Sequence, residues 1–134
     1  MTTDEIEQTL QQDGATNIQI TNQSVTYDIQ EAQYNKNISM MEQKIIDMLA
    51  QINDPLAYTS IKSMTANETF TAFNVAVNRE GFEGSFDSLA VFSVMAAVTY
   101  YFNFQGMTNY TVEVQYIDRA TNEMYTVETY PQNN

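Results

Sequence analysis

The chain has 134 residues, 17 acidic side chains against five basic ones, and neither histidine nor cysteine. Those absences exclude thiol nucleophiles, histidine-based triads, disulfide staples, and zinc or haem sites built on either residue. A net charge of −12, with only Lys36, Lys44, Lys62, Arg79 and Arg119 scattered along the chain, argues against nucleic acid and against an anionic membrane surface.

The length suits a single domain over residues 1–134, whose core buries about two-thirds of the unfolded surface. Residues 3–12 open with a hydroxyl followed by Asp4, Glu5 and Glu7, and Ile6 and Leu10 stand four apart. Acids in a first turn complement the helix dipole, so a short helix ending at Asp13-Gly14 is predicted. Ile18 and Ile20 then alternate with polar residues, and Val25, Tyr27 and Ile29 alternate in the opposite phase. That slip means either two strands around a tight turn at Asn22-Gln23 or one bulged strand.

From about Glu31 to Asn53 the spacing lengthens to three and four residues: Tyr34, Ile38, Met41, Ile45, Met48, Leu49 and Ile52. This predicts an amphipathic helix stopped by Asn53-Asp54-Pro55, with Ile38, Met41, Ile45 and Leu49 facing a sheet. Strand character returns over residues 69–78, where Phe73, Val75 and Val77 alternate with lighter residues. Residues 79–84 read as a two-glycine loop, with Ser85 and Asp87 offering caps to a following helix. That helix, about residues 86–104, is nearly all apolar and reads as buried on most of its surface. It is too short, and lacks the basic anchors, for a membrane span. Gly106 suits its end.

Residues 110–116 and 124–129 alternate around a polar turn at 118–122, which predicts a hairpin. Folding the turn symmetrically sets Tyr116 opposite Tyr125, Val114 opposite Val127, and Glu113 opposite Glu128. The order of elements implies an α+β two-layer sandwich: about four mainly antiparallel strands with two main helices on one face.

Chemistry has few places to sit. Glu113 and Glu128, if opposed, are a candidate carboxylate pair, and Glu80 and Glu83 form a second acidic group. Neither spacing matches a cation-binding loop or an acid–base pair within a cleft, and no phosphate loop or Ser-x-x-Lys pattern occurs. The reading is therefore no catalytic residue, no metal and no cofactor. Tyr100, Tyr101 and Phe104, near the end of the apolar helix, are the candidate interaction patch, with the chain a monomer or weak homodimer.

The stretch Phe70-Thr71-x-Phe73-x-Val75-x-Val77, followed by Phe82-Glu83-x-Ser85-Phe86-Asp87-Ser88-Leu89-Ala90-Val91, resembles uncharacterised extracytoplasmic domains of Gram-positive bacterial lipoproteins. The resemblance covers about residues 14–130, and its distinctive part is the junction at 82–91. It implies a cell-surface location and brings no catalytic residues. The lipid-bearing cysteine of such proteins is missing, and a removed export segment would have carried it. The expected function is a non-enzymatic secreted or surface-anchored domain that binds a protein or cell-surface ligand. The rival is a cytoplasmic acidic inhibitor, of the immunity-protein kind, facing a basic partner.

Overall fold

A computed structural model describes residues 2–131. The chain divides into two compact units, Met1–Met41 and Glu42–Asn134. In the first unit, α1 (Thr3–Gln12) starts at Thr2, whose hydroxyl accepts the Glu5 amide at 3.2 Å, and carries Asp4 and Glu5 in its first turn. β1 (Thr16–Ile20) and β2 (Val25–Asp28) pair antiparallel. The slip in period is therefore a tight turn, closed by the Thr21 hydroxyl accepting the Ser24 amide at 3.0 Å. Leu10 and Ala15 are the buried apolar residues of this unit. Beside them Asn37 is buried: its amide donates to the Asp13 carbonyl at 2.6 Å and its oxygen accepts from Gln33 at 2.7 Å. A buried amide is tolerated here because both ends are satisfied.

The boundary at Met41–Glu42 falls inside α2 (Glu31–Ile52). In the second unit four strands lie in the order β3 (Ile61–Ala66), β4 (Ala72–Val77), β5 (Val112–Asp118), β6 (Glu123–Tyr130). β3–β4 and β5–β6 are antiparallel, whereas β4 and β5 run parallel. A parallel pair needs a long crossover, and α3 (Arg79–Glu83) with α4 (Ser88–Phe104) supplies it. The result is the two-layer α+β arrangement the sequence implied, with a mixed and mainly antiparallel sheet. Phe73, Val75, Val77, Val112, Val114 and Tyr116 form the sheet side of the core. Val91, Val94, Met95, Val98 and Phe102 on α4, with Ile45 and Ile52 on α2, complete it.

The expected helix phase needs adjustment. Ile45 is fully buried, but Ile38, Met41 and Leu49 are only half-buried, while Ile52 lies in the core. The end of α2 is fixed by Asn53, which donates to the Leu49 carbonyl and exchanges hydrogen bonds of 2.8 Å with both backbone groups of Met64 on β3. β3 itself has no counterpart in the sequence reading. Its pairing with β4 is irregular between Ile61 and Ser63, so the buried residues Ile61 and Met64 stand three apart and break the alternation.

α4 also departs from expectation. It ends in a Schellman arrangement: the Gly106 amide reaches Asn103 and the Met107 amide reaches Phe102, with Gly106 at φ +75°. But it is not buried on most of its surface. Leu89, Phe92 and Ala96 line an exposed side opposite the core stripe. Asp87 stands at the N-cap position without capping, because its carboxylate accepts both the Ser60 amide (3.2 Å) and the Ser60 hydroxyl (2.5 Å).

Candidate functional site

The hairpin register decides where the carboxylates fall. Val112, Val114 and Tyr116 pair with Tyr130, Glu128 and Thr126, and the pairing slips by one between Tyr116 and Ile117. Opposed residues share a face, so Glu128 lies on the core side beside Val114 and Tyr116. Glu113 instead pairs with Thr129 and is exposed on the other face. The expected Glu113–Glu128 pair therefore does not exist. A bulge in β6 near Tyr125 inserts one residue, and folding the turn symmetrically ignores it.

The same bulge brings Glu128 to a different acid. β4 runs into α3, whose first turn is capped by the Asn78 side chain accepting the Gly81 amide at 3.2 Å. One turn on, Glu83 accepts from Arg79 Nε at 2.8 Å, and the Arg79 guanidinium lies 4.3 Å from the centre of the Tyr125 ring. Between this junction and the hairpin is a cavity of about 220 Å³. Phe82, Glu83, Ser85 and Ser88 bound it on one side, and Tyr116, Tyr125, Thr126 and Glu128 on the other. Of the four acidic candidates, Glu83 and Glu128 meet at this cavity. Glu80 is exposed on α3 and is not among its lining residues.

The phenols set the site's electrostatics. Burial pushes the Tyr116 hydroxyl well above its ordinary value, and its hydrogen bond to the Glu128 carboxylate and that group's charge push it further. Tyr130 is pushed up to about 12, first by burial and then by the Glu128 charge and a 3.3 Å hydrogen bond to that carboxylate. Burial also raises Tyr125, with Glu83 adding to the effect and Arg79 opposing it. At neutral pH these tyrosines are therefore protonated donors. The cavity offers two carboxylates and three Ser/Thr hydroxyls to a ligand, against aromatic walls formed by Phe82, Tyr116 and Tyr125. Carboxylate and hydroxyl oxygens accept hydrogen bonds, so that chemistry is suited to hydrogen-bond donors.

A second feature lies along α4. Tyr100 is exposed, but Tyr101 and Phe104 are buried, so the three do not form one surface patch. Tyr101 is held inward by donating to Glu42 at 2.7 Å, and Phe104, one turn from Tyr100 and stacked on its ring, is covered. The exposed apolar side runs instead from Phe86, just before the helix, through Leu89 and Phe92 towards Tyr100. It borders a groove of about 410 Å³ between α4 and Tyr130-Pro131.

Sequence reasoning missed Tyr116, Tyr125, Ser85 and Ser88 as site residues. The available signal was the density of tyrosine on strands also carrying glutamate, but the register needed to join them was hidden by the bulge. Among the described residues no group of three or more His, Cys, Asp or Glu side chains is arranged to hold a metal ion. Among them, too, no helix is long and apolar enough to cross a membrane. No protein-family model, curated protein or solved structure matches the chain.

Proposed function

We propose that this chain is a non-enzymatic binding domain displayed outside the cytoplasm on a cell surface, and that the hairpin cavity receives a small ligand rich in hydroxyl or amine groups. The observation that carries the reading is the convergence of Glu83 and Glu128 on one aromatic-walled cavity. Few, well-placed polar groups within apolar walls are what small-ligand sites need. Neutral phenols and carboxylates engaged by Arg79 or tyrosine are poor nucleophile–base pairs, which favours binding over turnover. The rival, an acidic inhibitor, requires its carboxylates on one contiguous face. In the Glu42–Asn134 unit they are spread over α2 (Glu42, Asp47), the α2–β3 connection (Asp54), the β3–β4 turn (Glu68), α3 (Glu80, Glu83), the start of α4 (Asp87) and the hairpin (Glu113, Asp118, Glu123, Glu128).

The test is binding of the fluorescently labelled chain to intact Gram-positive cells. Saturable binding that Glu128→Gln weakens by about ten- to a hundredfold, the range for a hydrogen bond to a charged group, supports the reading. No saturable binding, or equal binding by Glu128→Gln with its fold intact, overturns it.

A further inference from the structure

The exposed side of α4 has a composition and size suited to a second copy of this chain. Phe86, Leu89 and Phe92 are 86%, 59% and 61% exposed. With Ala96 and the accessible part of Tyr100 they present roughly 400–500 Å² of apolar surface, taking 150–250 Å² for each aromatic side chain. A standard interface buries about 800 Å² per partner, a little over half of it apolar, so this patch supplies the apolar share of one stable contact. No acidic or basic side chain occurs between Asp87 and Glu113, and Asp87 is occupied by Ser60. On a chain of net charge −12, a charge-free face is where two copies approach with least repulsion, whereas a basic partner would find no carboxylate there to engage.

We infer that the chain forms a two-fold homodimer in which α4 packs antiparallel against α4 of a second copy. A two-fold axis between Ser93 and Ala96 places small side chains at the crossing, where helices approach closely. It sets Leu89 opposite Tyr100, bringing the ridge of each copy over the groove beside the other's Tyr100 and Tyr130. Such an isologous contact closes on itself and leaves no sticky surface to propagate. Screening the mutual repulsion strengthens it, so self-association tightens as salt is added.

Sedimentation of the full chain over a concentration series, at low and at moderate salt, is the first measurement. Expected is a monomer–dimer equilibrium that shifts to dimer with salt and weakens roughly tenfold or more in Phe92→Glu, as loss of a central apolar anchor does. Circular dichroism checks the fold of that variant, with Leu89→Glu as an independent second probe. Because the chain has no cysteine, Ala96→Cys is expected to form an inter-chain disulfide far faster than Asn74→Cys on the exposed face of the sheet. A monomer at millimolar concentration, a dimer indifferent to both folded charge variants, or α4-dependent binding to neutral vesicles would each overturn the inference.

Discussion

Two neighbouring isoleucines on α2 provide a sharp test of the packing. Ile45 is 0% exposed and Ile46 is 48% exposed, so one residue of helical rotation separates core from solvent. Ile45→Ala removes three buried carbons, worth about 2.4 kcal/mol at roughly 0.8 kcal/mol each. The cavity left among close-packed neighbours adds to this, giving about 3–4 kcal/mol in all. For a chain of this size that lowers the melting temperature by roughly 10–20 °C. Ile45→Val should cost only about 1 kcal/mol. Ile45→Asp, which buries an unpaired charge, should prevent folding of the Glu42–Asn134 unit. Ile46→Asp should stay within about 0.5 kcal/mol of the parent. Urea unfolding followed by far-ultraviolet circular dichroism ranks the four variants. Equal costs at the two positions, or a larger cost at Ile46, would show that α2 does not pack as described.

Asn53→Ala should destabilise by about 1–3 kcal/mol in the same assay, because it leaves both the carbonyl and the amide of Met64 without the partner that anchors α2 to β3. Stability should also fall in alkali. Tyr130 ionises at about 10 when unfolded and about 12 when folded, so its contribution is complete below pH 10 and is lost as pH rises from there towards 12. Tyr116, raised by the same causes, acts in the same direction. Melting temperatures across that window should drop, less steeply in Tyr130→Phe, and a flat profile would contradict the Glu128–phenol arrangement.

Much of the fold is legible in the residues. The spacing of Ile45 and Ile52 marks α2, the alternation of Phe73, Val75 and Val77 marks β4, and that of Val112, Val114 and Tyr116 marks β5. Two of the features that escaped reading share one physical origin, an extra residue in a strand. At Ile61–Ser63 it removes the period-two signature and hides β3; near Tyr125 it turns Glu128 from the solvent face to the core face. α3 was hidden differently: its two turn-forming glycines, Gly81 and Gly84, outweigh helix propensity, while the Asn78 cap that starts it is a weak signal by itself. The candidate site joins α3 to the bulged hairpin, so both concealed features had to be known before Glu83 and Glu128 could be placed together. The exposed side of α4 was concealed because both sides of the helix are apolar, leaving no periodicity to separate them.

The most direct test of the account is nuclear magnetic resonance of the chain with isotope-labelled tyrosine rings, titrated with a panel of short amines and simple saccharides. Binding in the hairpin cavity should shift the Tyr116, Tyr125 and Tyr130 rings together and saturably for at least one class, leave Tyr27 and Tyr34 of the Met1–Met41 unit unmoved, and vanish in Glu128→Gln. Shifts confined to Tyr100, or no saturable shift at the three hairpin tyrosines across the panel, would contradict it.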